Sequence, residues 1–526
     1  MKNNKLFTLL ALSAILVTAG GCKKNYQDLS VDPNKPVSVP AYMLLRQIEN
    51  DIVVLPGGDE DKFGQYTLST YSYYGTNEYW TGAANLNYGT LNNVVAMEKE
   101  SLKTSGPNTP YAALAKFFEA YLFVGMSLKV GDLPMSEALK GVDNLTPKYD
   151  SQKDIFKQSL QLLEDANTQL AGLINNSNTS ILGDFYFKER LSSPKDPIST
   201  LKQWQMVVNT YKLRVLIELS KKETDGDLNI KQKFSEVLSN PAKYPIMGGL
   251  EDNLEYVYND AYNQYPNNKN NYGNDALRLC VAATWLNTLA GLNDLRAMKV
   301  ADPARGLGFS DTSYKSFVGG PNGMDMSTLG GNTVALKYAT IGRKRYYSGY
   351  TAENTFLIGY PEMCLNIAEA INRGWVTGDA NAWYQKGVKA MFAFYGINDG
   401  ANTVSFLRTT APGDYIDYAI KFNYSDYFAQ KAVSYAGNNV TGLNQILTQR
   451  YLTLARNSGL EGYYQWRRTG VPEFAVGAGV GNSGVIPLRY QYPSAELATN
   501  GINYKAAVQR QYAGNDNINA KMWIIQ

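Results

Sequence analysis

The sequence predicts a mainly α-helical body combined with a large irregular, loop-rich portion. Three observations point there. Several segments carry apolar residues at three- and four-residue steps, the spacing of one helix face. Long stretches rich in Asn, Gly and Tyr separate them. Hydrophobic residues make up 44% of the chain and charged residues 18%, the balance of a globular protein with a sizeable core.

The first residues read as an export address. Lys2 and Lys5 form a positive n-region, Leu6 to Val17 is apolar, and Ala19-Gly20-Gly21 precedes Cys22. The apolar run is short for a membrane span, which needs about 20 residues, and suits a signal h-region. Small residues immediately before a cysteine suit a lipoprotein signal peptidase. Residues 1–21 are therefore expected to be removed, and Cys22 to carry the lipid. No later stretch reads as long and apolar enough to cross a bilayer, so a lipid tether is the expected attachment. Residues 22–40 follow as the lipidated N-terminus and a polar linker with three prolines in KKNYQDLSVDPNKPVSVP.

From Tyr111 to Lys129 the chain lacks proline and is rich in strong helix formers. From Ser151 to Ile174, Phe156, Leu160, Leu163, Leu170 and Ile174 share a face, and Ser151 with Asp154 forms a capping box at the start. Trp204, Val208, Tyr211, Val215 and Leu219 make the stripe of 202–222. Met363, Ile367 and Ile371 mark 361–373, which Gly374 stops, and Tyr384, Val388, Met391 and Tyr395 mark 380–396. A last helix is expected from about Leu443 to Asn457. The pair 361–373 and 380–396 spans about 34 residues around a Gly-containing turn and resembles a tetratricopeptide unit. The stretches 57–92, 252–274, 303–333 and 397–440 read as loops, and loops this long in a compact chain carry function or are disordered.

Net charge is +3, from 50 basic and 47 acidic residues, and no basic run exceeds Arg343-Lys344-Arg345. That excludes an electrostatic footprint for nucleic acid. The chain contains no histidine. Ser-His-Asp and Cys-His nucleophile arrangements and histidine-based zinc sites are thereby removed. No cofactor and no metal site is read; the Asn- and Asp-rich stretch 252–275 matches no specific calcium spacing. Cys280 and Cys364 each lie in apolar helical contexts and read as buried free thiols. The 39 tyrosines and seven tryptophans supply rings with an apolar body and a polar tip, common at recognition surfaces.

Nearly all of the chain after Cys22 resembles the SusD/RagB family of outer-membrane lipoproteins. The resemblance is carried by DPNKP at 32–36, Gly131-Asp132-Leu133-Pro134 with Ser136-Glu137-Ala138, Pro147-Lys148-Tyr149-Asp150 and Tyr211-Lys212-Leu213-Arg214. It continues in Ala368-Glu369-Ala370 with Arg373-Gly374-Trp375, then 462–470 (GYYQWRRTG) and Tyr492-Pro493-Ser494-Ala495-Glu496. Each piece alone is weak; their order and spacing together carry it. These pieces read as structural, with Arg467 and Arg468 tying backbone or carboxylate groups in the core. Lys23 and Lys24 depart from the acidic residues that follow the cysteine in many exported lipoproteins of such bacteria.

The resemblance implies tetratricopeptide-like helix pairs on one side and irregular structure on the other, with 41–526 as one nutrient-binding domain. It implies an outer-membrane protein of a Bacteroidetes-type bacterium, facing the cell exterior on a SusC-like TonB-dependent transporter. The implied ligand is an oligosaccharide or another nutrient, and the implied activity is binding without catalysis. Sugars stack their C–H faces on flat rings, so the candidate contacts are aromatic with polar neighbours. Trp80 and Tyr79 come first, beside Asn77 and Glu78, and Trp80→Ala is expected to lower ligand affinity. Tyr258, Tyr262 and Tyr265 with Asn263 come next, then Tyr346, Tyr347 and Tyr350. Two alternatives stand: a glycosidase using two carboxylates, with Glu78 as one of them, and a helical-repeat assembly protein with no small ligand.

Overall fold

The computed structural model describes residues 38–73, 75–176, 180–190, 193–275, 278–409 and 411–526. The signal peptide, Cys22 and nearly all of the linker lie outside them. The first described helix, α1, is Ala41–Asp51, followed by α2, Tyr88–Ser105. Helix α3, Pro110–Val130, starts where Thr109 accepts a hydrogen bond from the Ala112 N–H and Pro110 occupies the first turn, where its missing N–H costs nothing. Helix α4, Gln152–Asn176, carries the expected box: the Asp154 N–H donates to Ser151 Oγ at 3.1 Å, and that hydroxyl donates to the Asp154 carboxylate at 2.5 Å. Helix α5 is Pro197–Glu218, capped by Asp196, and α6 is Ile230–Ser239.

Helix α3 corrects one expectation. It is long and apolar enough to span a bilayer, yet 72% of its most apolar window is buried inside the protein. The reason is packing: α2, α4 and α5 all contact it, and a helix apolar all round can be a core helix as well as a membrane one.

Further on come α7, Ala283–Gly291, and α8, Met326–Val334, then the pair α9, Tyr360–Asn372, and α10, Ala380–Phe394. Gly387 lets this pair close. A Cβ there would stand 2.9 Å from both Leu365 Cγ and the Pro361 carbonyl oxygen. Helix α11, Val440–Thr453, packs on α9 and is followed by α12, Glu461–Thr469, and α13, Gly501–Tyr512. The fold is mainly α and tetratricopeptide-like, as expected.

The strands are short: β1 Thr67–Ser69, β2 Leu254–Tyr256, β3 Leu279–Val281, β4 Ala301–Asp302, β5 Thr340–Ile341 and β6 Thr355–Ile358. They form an antiparallel sheet in the order β1-β3-β5-β4 and a β2–β6 ribbon. The stretch 397–440, expected as loop, instead holds a regular hairpin. Strand β7, Gly400–Leu407, pairs with β8, Tyr415–Phe422, from Gly400↔Phe422 to Leu407↔Tyr415. Asn402, Val404 and Phe406 on β7 are buried and alternate with the more exposed Ala401, Thr403 and Ser405, a period of two that fits one buried face. Stretches 57–92 and 303–333 likewise hold β1, the start of α2, and most of α8.

The segments that carry the family resemblance meet in the core. Arg214 Nε donates to Glu362 at 2.9 Å, and Arg450 Nη2 reaches the same carboxylate at 2.8 Å. Arg468 holds Glu369 through two bonds, at 2.5 and 3.0 Å, while Arg373 donates to it at 2.9 Å. Arg467 Nη1 donates to the carbonyls of Leu128 and Leu488 at 2.8 and 2.9 Å. All but the Arg373–Glu369 bond join distant parts of the chain, as the structural reading of Arg467 and Arg468 requires. Cys280 and Cys364 are free and buried, and burial pushes both thiols up to about 12. Neither has the thiolate character that reactivity needs.

Candidate ligand-binding site

The loop after β1 carries exposed rings followed by a clamp. Asn77 clips it to β1: its Oδ1 accepts from the Ser69 N–H at 2.8 Å and its Nδ2 donates to the Ser69 carbonyl at 2.9 Å. Tyr79 is 3% exposed, stacks on Phe63 with centroids 5.1 Å apart, and donates its hydroxyl to the Phe63 carbonyl at 2.8 Å. The Trp80 ring lies flat on Tyr490, 3.9 Å away and 9° from parallel, and edge-on to Phe63 and Tyr463. Its Nε1 donates to the Arg489 carbonyl at 2.8 Å. One face of the half-buried Trp80 ring is thus covered by protein, and Tyr79 is enclosed. Glu78 is exposed between them, its N–H bonded to Thr76 Oγ1.

With Asn77, Tyr79 and Trp80 tied down, the earlier part of the loop turns outward. Tyr71 is 57% exposed and Tyr73 79%. Tyr71 lines a groove of about 460 Å³ whose other walls include Thr70, Arg278, Met326 and Val334. The Thr70 N–H donates to the Arg278 carbonyl at 2.8 Å, which fixes these two walls together. Gly330 lets α8 approach, because a Cβ there would stand 2.5 Å from the Thr70 carbonyl oxygen. The groove is therefore lined by the exposed Tyr71 ring, by Arg278 and by an apolar margin from Met326 and Val334. Flat rings beside hydrogen-bonding groups are what a sugar's alternating C–H faces and hydroxyls need.

The second and third candidate groups divide differently. Tyr265 and Tyr346 are fully buried and stack at 6.0 Å, with the Arg456 guanidinium 4.6 Å from the Tyr346 ring. Tyr347 is 2% exposed and meets Tyr272 edge-on. Rings so enclosed have no face left for a ligand, so Asn77, Tyr79, Tyr265, Tyr346 and Tyr347 are core residues. Burial pushes the hydroxyls of Tyr79, Tyr265 and Tyr346 upward, keeping them neutral. Tyr350 is half-buried, donates to Asn270 Oδ1 at 3.2 Å and carries Lys269 Nζ 4.3 Å from its ring. Tyr258, Tyr262 and Asn263 come together on a separate cleft of about 790 Å³.

The sequence reading singled out Tyr79 and Trp80 in this loop and passed over its most exposed rings, Tyr71 and Tyr73. The available signal was local polarity. Tyr71 and Tyr73 alternate with Thr70 and Ser72, whereas Tyr79 and Trp80 are adjacent large rings that one folded turn buries together.

Helix pairs joined by long irregular segments define the class: a mainly α, repeat-like scaffold. The chain belongs to the SusD-like family described as "Starch-binding associating with outer membrane", which it matches over residues 58–493. The expectation drawn from the GDLP, LKLR, AEA and WRRTG segments is thereby met. Among solved structures the chain is similar to an outer membrane protein of Bacteroides vulgatus ATCC 8482 whose name proposes nutrient binding. That match has 28% identity and a TM-score of 0.76 and covers 93% of this chain and 100% of the other. A SusD homologue of Bacteroides fragilis NCTC 9343 is similar at 26% identity and a TM-score of 0.78, over 93% and 100% of the two chains. A chitin-binding SusD homologue from Flavobacterium johnsoniae shares the fold at 19% identity and a TM-score of 0.67, over 92% and 98%. No curated protein sequence matches the chain.

Proposed function

We propose that this protein is a lipid-anchored outer-membrane binding protein that captures an oligosaccharide and delivers it to a SusC-like TonB-dependent transporter. The observation that carries the proposal is the exposed Tyr71 ring on the wall of the groove lined by Arg278 and α8, with the exposed Tyr73 two residues further along the chain. The family's description as starch-binding and the chitin-binding relative support a polysaccharide fragment as ligand. The lipid anchor at Cys22 and an exterior-facing position rest on the N-terminal sequence and on the family. The protein holds its ligand without turning it over: recognition by stacked rings and hydrogen bonds breaks no bond. Delivery then requires only that the transporter compete for the same ligand.

The test is calorimetric titration with starch- and chitin-derived oligosaccharides, repeated on the Tyr71→Ala/Tyr73→Ala double variant. Both rings are exposed, so the variant should melt where the parent does. Removing two stacking faces should weaken binding at the groove by tenfold or more, about 1.4 kcal/mol per tenfold. Unchanged binding there would sink the assignment of the groove. Continued heat that scales with added sugar would mean hydrolysis and overturn the binding-only reading.

A further inference from the structure

We propose that the cleft between α1 and the 256–263 turn is a second carbohydrate-binding site, separate from the Tyr71–Tyr73 groove. The proposal rests on the carbohydrate-binding reading above and extends it to a bivalent protein. At about 790 Å³ the cleft falls within the size of pockets that enclose small ligands, roughly 300–1,000 Å³. It shares no lining residue with the groove.

Its walls combine rings with amides. Tyr262 is 77% exposed at the rim, and Phe185 meets Tyr256 edge-on with centroids 5.9 Å apart. The turn that presents Tyr262 is preformed. Asn259 Oδ1 accepts from the N–H groups of Ala261 and Tyr262 at 3.0 and 3.1 Å, and the Asn259 N–H donates to the Asn263 carbonyl at 2.7 Å. Asn263 Nδ2 donates to the Val257 carbonyl at 2.8 Å, and the Tyr258 hydroxyl is bonded to Thr355 at 2.9 Å behind the wall. Those bonds use the carbonyl oxygen of the Asn259 side chain and leave its Nδ2 without a partner among the described residues. The exposed Asn50 side chain on α1 faces the same cleft, likewise without one. A site whose backbone is fixed and whose amide donors remain open is suited to accept hydroxyl oxygens with little reordering.

The charges choose the ligand class. Both guanidiniums on the lining are matched to carboxylates, Arg46 to Glu189 and Arg190 to Glu255. An acidic glycan or a charged peptide would have to displace one of those ion pairs. A neutral sugar chain would not. It could lay a C–H face on Tyr262 and offer hydroxyls to Asn50 and Asn259. Two sites on one rigid body let a single long chain bind twice. The second contact then occurs at a raised effective concentration, which gives avidity without new chemistry.

The experiment uses the intact protein, neutral starch- and chitin-derived oligosaccharides, and four forms: parent, Tyr71→Ala/Tyr73→Ala, Tyr262→Ala, and all three changes together. Tyr262 is exposed, so melting temperature should not move, and thermal denaturation checks this for each form. The expected result is two equivalents of bound sugar in the parent. One equivalent should survive the Tyr71→Ala/Tyr73→Ala change and weaken about tenfold when Tyr262→Ala is added. A single equivalent abolished by the Tyr71→Ala/Tyr73→Ala change would overturn the second site and leave the first standing. A single equivalent abolished by Tyr262→Ala alone would reject the groove and the two-site proposal together. No binding of any sugar by the parent would overturn both readings, as would tight binding of a neutral peptide at the Tyr262 cleft in place of sugar.

Discussion

Replacing Trp80 by alanine separates a ring that binds ligand from a ring that holds the loop which binds ligand. In the structure Trp80 is a holder. Its face covers Tyr490 at 3.9 Å, its edges meet Phe63 and Tyr463, and its Nε1–H satisfies the Arg489 carbonyl. Removing a large buried aromatic costs about 3–5 kcal/mol, and Trp80 is half-buried, which places it near the low end. Orphaning the Arg489 carbonyl adds about 1 kcal/mol. The sum is about 4 kcal/mol. Melting entropy per residue, summed over a body of this length, is roughly 1 kcal/mol/K, so the midpoint should fall by about 4 °C. The assay pairs differential scanning calorimetry with sugar titration well below the melting range. Stability should drop while affinity at 25 °C changes less than in the Tyr71→Ala/Tyr73→Ala form. A variant that melts like the parent yet loses all binding would show that Trp80 touches ligand, and the clamp argument would fail.

Two further outcomes follow from the core. Glu369 is fully buried; burial alone would push its carboxyl up, but Arg468 and Arg373 outweigh it and hold the group at about 2. Its folded value lies below the unfolded one of 4.5, so the unfolded chain binds the proton first as pH falls. The contribution, about 3 kcal/mol, is complete above the unfolded value and is lost as pH drops from about 4.5 to about 2. Urea unfolding from pH 7 to pH 3 should show an acid limb that is shallower in Glu369→Gln, along with a lower stability at pH 7; parallel limbs would refute the pairing. Gly387→Ala should destabilise by about 1–3 kcal/mol despite alanine's better helix propensity. The added methyl meets the Pro361 carbonyl and Leu365 at 2.9 Å, and an unchanged urea midpoint would mean that α9 and α10 can part freely.

The helices of the scaffold were legible because each writes its buried face into its own sequence. The stripe from Phe156 to Ile174 lies in α4 with the Ser151–Asp154 cap at its start, and Met363, Ile367 and Ile371 lie in α9. Helices α1, α2, α6, α8, α12 and α13 were missed; all but the 18-residue α2 are short, and tertiary contact stabilises such helices more than local pattern does. The β7–β8 hairpin was read as loop because its tyrosines, Tyr415 and Tyr418, resembled the loop composition around them.

By itself the sequence determined the class of protein: the order of the GDLP, LKLR, AEA and WRRTG segments, the helical periods and the absence of histidine. It also showed that the connections between helices are rich in tyrosine. Only the tertiary structure decided which rings are open. Trp80 is closed by Tyr490, and Tyr265 by Tyr346, partners 410 and 81 positions away in the chain. A tyrosine's side chain is the same whether it packs or binds. What distinguishes the two is whether another part of the chain has already covered its face, and that depends on contacts no local pattern contains.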